Sequence, residues 1–411
     1  MAVIKPFRAI RTNKELVHKV AALPYDVYNR AEAREAALSE PLSFLNIDRP
    51  ETQFPEEYDM YATEVYEKAA SMLKEQKEKG IYVQEDVPCF YLYELTMDGR
   101  SQTGLVACAS IDDYLNQVIK KHENTREEKE QDRIRHVDTC STQTGPIFLA
   151  YRREEAIERI VAEEKAKSPV YDFISEDGIG HRVWIISDKN AVDGIANGFA
   201  DISQIYIADG HHRAASAVKV GIKRREEAGT YTGKEEFNYF LSVLFPENEL
   251  KILPYYRVVK DLNGYTTEEF LKKVSENFIV EASDVPVGPE KKGEFGMFLE
   301  ENWYRVTAKA ELLGSSDPVK ALDVSVLQDN LLEPVLGIQD PRTDKRIDFV
   351  GGIRGLSELE RRTKTDMKVA FSTCPTSILE LFAVSDAGLL MPPKSTWFEP
   401  KLRSGIFLHE F

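Results

Sequence analysis

Asp209-Gly-His-His-Arg213 sets a carboxylate, two imidazoles and a guanidinium within five positions. The pentad follows the apolar run Ile205-Tyr-Ile-Ala208 and precedes Ala214-Ala-Ser-Ala-Val-Lys-Val-Gly221, a good helix former. A short buried strand turning sharply into a helix is expected, with Gly210 supplying the backbone freedom of a tight turn. A helix N-terminus offers unbonded N–H groups and the positive end of a dipole. Arg213 adds a planar fork of donors, so the turn suits a phosphate or a carboxylate. Each residue alone has an ordinary use: Asp209 as a helix cap, Arg213 as partner to a surface acid, a histidine satisfied in the core. Clustered at a strand end, they have the composition that reactive sites need.

A second constellation, Ile119-Lys-Lys-His-Glu-Asn-Thr-Arg126, ends an extended segment and carries two groups able to move protons, His122 and Glu123. Arg126 stands where a zinc-binding H-E-x-x-H would need its second histidine, so that arrangement fails. The mixed charges of Glu127 to Arg133 are expected to form a solvated helix. Thr142-Gln-Thr-Gly-Pro146 reads as a polar loop leading into an apolar strand. The hydroxyls and backbone amides around Thr144 and Gly145 could contact phosphate, although turn preferences alone also explain the composition. Phe349-Val-Gly-Gly-Ile-Arg-Gly355 lacks both G-x-G-x-x-G and the Walker lysine, and no G-x-S-x-G occurs. Among the four cysteines only Cys140 has a base close in sequence, His136, which leaves a thiol nucleophile as a minor option.

The elements that must position these residues follow from periodicity and punctuation. Helices are expected at 30–38, 57–79, 154–167 and 189–200, with strands at 181–186 and 237–245. Residues 88–96 and 102–110 read as a hairpin turning at Asp98-Gly99. From about Asn263 the pattern resets: a helix at 267–277, a linker at 285–293, a hairpin at 296–308 and a helix at 324–336. Strands at 346–350 and 367–371 then alternate with helices at 356–362 and 375–383, before an irregular segment, 391–403. With 411 residues the chain exceeds one ordinary core, and the division is expected at 262/263.

Composition narrows the function classes. A net charge of -16 repels a nucleic-acid backbone, so non-specific DNA binding is not expected. No apolar run approaches the roughly 18 residues of a membrane helix, and the first residues show no secretory signal. Cys89, Cys108, Cys140 and Cys374 form no C-x-x-C, which fits scattered thiols in a reducing cytoplasm.

The strand-Asp-Gly-His-His-Arg-helix turn resembles the signature of the ParB/sulfiredoxin superfamily, particularly its free-serine kinase branch. Over nearly the whole chain the sequence resembles the domain of unknown function 1015 family. The residues that carry this are Lys5-Pro-Phe-Arg8, Leu23-Pro-Tyr-Asp26, Lys121-His-Glu-Asn-Thr125, Asp132-Arg133, Gln143-Thr-Gly-Pro146, Asp209 to Arg213 and Met391-Pro-Pro-Lys-Ser-Thr-Trp-Phe398. The resemblance implies a mixed α/β (α+β) fold: a ParB/sulfiredoxin-like nucleotide-binding core in residues 1–262, with an N-terminal extension, and a C-terminal α/β domain in 263–411.

It also implies phosphoryl transfer between a nucleotide, ATP or ADP, and serine or phosphoserine, with Mg2+ and in serine metabolism. The motif does not specify the direction. In this scheme Glu123, or alternatively His122, accepts the proton of the substrate hydroxyl. Asp209 holds the metal or a ribose, and His211 or His212 binds phosphate. Gly210, Arg213, Thr144 and Gly145 complete the nucleotide site, while Lys5, Arg8 and Asp26 meet the carboxylate and amine of the substrate. Two rival readings stand beside it: a phosphatase in which water replaces the nucleotide acceptor, and a nucleotide-binding protein without turnover. The superfamily also contains DNA partition proteins, but the acidic charge and the lack of a basic recognition helix disfavour a nucleic-acid partner. The oligomeric state, a homo-oligomer included, stays open.

Overall fold

Aromatic and apolar residues alternate with turn formers most clearly between 90 and 110, and the chain folds there into its longest hairpin. In the computed structural model, which describes residues 1–411, Phe90–Met97 and Arg100–Ser110 pair antiparallel. They are joined through Asp98 and Gly99, both at positive φ, 52° and 77°. That is the backbone a two-residue hairpin turn requires.

The hairpin is the middle of a nine-stranded mixed sheet. Tyr239–Pro246 adds antiparallel to Arg100–Ser110, and Ile147–Tyr151 adds parallel to Tyr239–Pro246. Ile205–Asp209 follows antiparallel, and the two-residue strand Ile119–Lys120 closes that edge, parallel to Ile205–Tyr206. On the other side lie Gly180–Ile186 and Tyr171–Ile174. One face of the sheet buries Leu92, Leu105, Leu149, Ile207 and Phe240 against Ala214, Ala217 and Val218 of the helix His211–Ala228. The fold is mixed α/β, and no helix is long and apolar enough to cross a membrane.

The chain divides into two units, residues 1–250 with 400–411, and residues 251–399. The sequence placed the division at 262/263. Two pairings explain the difference. Tyr255–Val259 is an inner strand of the six-stranded antiparallel sheet of the second unit, while the C-terminal strand Phe407–Glu410 pairs with Ile10–Thr12 and Thr142–Gln143 of the first. Neither link has a local sequence signal.

Several elements differ from their sequence expectation for identifiable reasons. The helix expected at 57–79 is Thr63–Glu78; before it the chain turns, with Phe54 stacked on Tyr58, so these aromatics pack on each other and not on a helical stripe. The segment expected at 324–336 is α-helical only over Asp323–Leu327, after which Gln328–Leu332 winds into a wider π turn. The helix Ile378–Asp386 starts three residues later than expected, where Ser377 and Glu380 form a capping box. In the second unit, Gly351 lies so close to Trp397 that a Cβ would sit 2.9 Å from its ring, which accounts for a glycine there without a nucleotide.

The helix Glu127–Cys140 is not the solvated helix that its charges suggest. Glu130, Asp132, Arg133 and His136 are buried. Glu130 pairs with Lys219 and accepts from the Thr125 hydroxyl, and Asp138 pairs with Lys223 and Arg224, so charge matching clamps this helix to His211–Ala228. Tyr66 donates to Asp132, which also pairs with Arg133.

Candidate functional site

The strand Ile205–Asp209 leads through Gly210, at φ 89°, directly into the helix His211–Ala228. The helix begins three residues before the expected Ala214, so His211, His212 and Arg213 form its first turn, where the backbone N–H groups have no intrahelical acceptor. A bulge between Ile207 and Asp209 shifts the strand against Ile147–Tyr151 and re-aims its last residues.

The parallel pairing with Ile119–Lys120 ends at Tyr206. Just beyond it the His122 ring faces the Ile207 backbone. His122 thus meets His211 edge-on, with ring centroids 4.5 Å apart and planes at 89°. Glu123 follows, half-exposed, with Oε2 3.7 Å from His211 Nδ1. The two constellations singled out in the sequence therefore share one site.

Burial is the main influence on both imidazoles. It pushes His122 down to about 4 against the opposing pull of Asp209. His211 falls well below its ordinary value, through burial and then the neighbouring His122. Both rings are neutral at physiological pH. Burial would raise the Asp209 carboxyl, but Lys401 and Arg213 override it and hold the group well below the usual carboxylate range.

Asp209 is closely held. Its Oδ1 accepts from the Gly210 N–H at 3.0 Å, and its Oδ2 pairs with Lys401 Nζ at 3.0 Å. Both oxygens face donors, so Asp209 anchors the turn. Lys401 is a site residue that the sequence reading missed. It sits in a segment read as irregular, far along the chain from its partner.

His212 turns to a different task. Its Nε2 accepts from the Arg126 backbone N–H at 3.0 Å, where the helix Glu127–Cys140 begins. Arg213 donates from Nη1 to the Pro146 carbonyl at 2.5 Å, which pins the Thr142–Pro146 loop against the helix. A Cβ on Gly145 would lie 3.2 Å from Ser404 Oγ, so glycine leaves that hydroxyl room beside Arg213. Thr144 uses its hydroxyl to donate to Asp48 Oδ1 at 2.8 Å.

Beyond Arg213 lies a small pocket in which Tyr25, Asp48, Arg133, Thr144 and Arg213 meet the apolar side chains of Ile147 and Leu241. Arg133 lies over the Tyr25 ring at 4.1 Å. Asp26, beside Tyr25, is close enough for its charge to act on His212. The other two expected substrate contacts have partners elsewhere: Lys5 pairs with Glu236 at 2.9 Å, and Arg8 donates to the Glu85 carbonyl at 2.9 Å. Cys140 is buried, with its thiol pushed up to about 12, so it offers no thiolate nucleophile.

The family described as Protein of unknown function (DUF1015) matches residues 4–325, and the chain belongs to it. No curated protein matches the chain in sequence. Among solved structures, a free serine kinase in complex with AMP is 15% identical, covering 74% of this chain and 91% of that one at a TM-score of 0.34. A conserved hypothetical protein from Pyrococcus furiosus is 16% identical over 74% of this chain and 94% of its own, at 0.33. SbnI with a C-terminal truncation, from Staphylococcus aureus, is 10% identical over 72% and 82%, at 0.37.

Proposed function

We propose that this DUF1015 family member transfers a phosphoryl group between a nucleotide and the hydroxyl of serine, in either direction, at the cleft of His122, Glu123 and the Asp209–Arg213 turn. The observation that carries the reading is the approach of Glu123 to His211 at the open end of a helix. A carboxylate able to accept a hydroxyl proton there stands beside backbone donors suited to a phosphate. The motif's resemblance to the serine kinases supplies the reaction class.

Phosphoryl transfer asks little covalent chemistry of a protein. It asks for alignment and for neutralisation of charge on the moving group. The helix N-terminus supplies oriented N–H groups, and Arg213, fixed on the Pro146 carbonyl, supplies a positive charge that needs no reorganisation. His211, neutral and buried, can donate one hydrogen bond to a phosphoryl oxygen or accept one, according to its tautomer. Glu123, half-exposed, takes the proton of the attacking hydroxyl, and in the reverse direction returns it to the leaving serine oxygen. Asp209 and Lys401 keep the turn in place. Magnesium, where it accompanies the nucleotide, would neutralise phosphate charge, with Asp209 as the candidate carboxylate to hold it.

The test is an exchange assay with phosphoserine, with and without ADP. ATP and serine appearing together support the reading. Phosphate released without ADP identifies a hydrolase instead, and nucleotide binding without either product identifies a sensor.

A further inference from the structure

We infer that His122, Glu123 and His211 together form a binding site for a divalent first-row transition ion, with zinc as the type case. The inference deepens the phosphoryl-transfer reading, since it places a cation where phosphate charge must be neutralised.

One donor atom from each of the three residues lies within 4.8 Å of the other two. The two imidazoles are almost fully buried, and His122 Nδ1 and His211 Nε2 have no hydrogen-bond partner. A buried polar atom left unbonded is destabilising, and two of them on rings in contact are difficult to account for by packing alone. A ligand held between the rings would relieve each of these nitrogens that faces it.

Three details favour a metal ion as that ligand. The His122 ring faces the Ile207 backbone, the kind of outer-shell neighbour that orients a ligating imidazole. Glu123 is half-exposed and brings a carboxylate oxygen to 3.7 Å from the His211 ring. Two nitrogens and one carboxylate also make a borderline donor set, which selects zinc, cobalt or iron over magnesium, an ion that prefers oxygen. Three protein ligands leave a position for a water or a phosphate oxygen. Glu123 has two oxygens, so ligation through one is compatible with proton transfer at the other.

The test uses the full-length chain, stripped with a chelator and titrated with Co2+, whose visible absorption reports low-symmetry coordination, then with Zn2+ as competitor. One equivalent of Co2+ displaced by Zn2+ is expected, with affinity falling at least about tenfold in Glu123→Gln. That variant changes an exposed side chain and should fold. X-ray absorption of the zinc-loaded wild type should show two imidazole ligands, a readout that needs no substitution in the core. Absence of Co2+ binding overturns the inference, as does binding that Glu123→Gln leaves unchanged or a zinc sphere without imidazole. If the stripped protein transfers phosphate with magnesium yet binds no Co2+, only this inference fails. If it binds Co2+ and transfers nothing, only the transfer reading fails.

Discussion

The His122 ring stands edge-on to the His211 ring at 4.5 Å, although the two residues belong to different edges of sequence and share no secondary-structure element. Their meeting depends on one short parallel pairing, Ile119–Lys120 against Ile205–Tyr206, which delivers His122 to the end of the strand that carries the turn. Glu123 is placed by the same pairing, so the candidate acid-base group and the candidate phosphate anchor form one mechanical unit.

Replacing Glu123 by Gln keeps the size of the side chain and removes its basicity. The transfer rate should fall by a factor on the order of 10²–10⁴. Stability should move by less than about 0.5 kcal/mol, because the side chain is half-exposed. Steady-state kinetics beside a urea titration checks both; a stability loss that accounts for the lost rate would assign Glu123 a structural role.

Acid should destabilise the fold through its buried histidines. His122 titrates at about 4 in the native chain against an ordinary 6.5. Between those values the unfolded chain binds a proton that the native chain refuses, so stability decreases as pH falls through this window and levels off below it. The contribution of His122 alone is at most about 3 kcal/mol. His181, pushed down to about 3, adds in the same direction. Urea titrations across the window should show a steep loss in the wild type and a slope reduced by about one proton in His122→Gln.

Asp209 and Lys401 should behave as a coupled pair. Changing Lys401 to Met leaves the carboxylate beside Arg213 alone and should cost about 1–3 kcal/mol, while the double variant Lys401→Met/Asp209→Asn should recover part of it. A double-mutant cycle measures the coupling; strictly additive losses would show that the ion pair does not hold the turn.

Gly210 tolerates a side chain poorly. Its φ of 89° disfavours any Cβ, and one built there would meet Arg213 Nε at 3.0 Å. Gly210→Ala should lower stability by more than about 1 kcal/mol and displace Arg213, with a matching rise in the KM for nucleotide.

The hairpin at 90–110 and the strand-to-helix turn at 205–213 were legible because their signals are local: alternation with Asp-Gly, and an apolar run meeting an alanine-rich one. The convergence of His122 and Glu123 with His211 was a reasonable suspicion from residue type, yet the strand that achieves it has two residues and no periodicity. Lys401 had no local signal at all. The buried face of Glu127–Cys140 misled for a physical reason: its charges are matched by Lys219, Lys223 and Arg224 on another helix, so a polar sequence is compatible with burial. Within that run, Asp132 has a buried partner in Tyr66, and Arg133 lines the pocket beyond Arg213.

The most direct test is to incubate the protein with phosphoserine, ADP and magnesium and to follow ATP and serine together. Stoichiometric formation of both, abolished in Glu123→Gln, is the predicted result. Phosphate release independent of ADP, or no product from a folded protein that binds the nucleotide, would contradict phosphoryl transfer at this site.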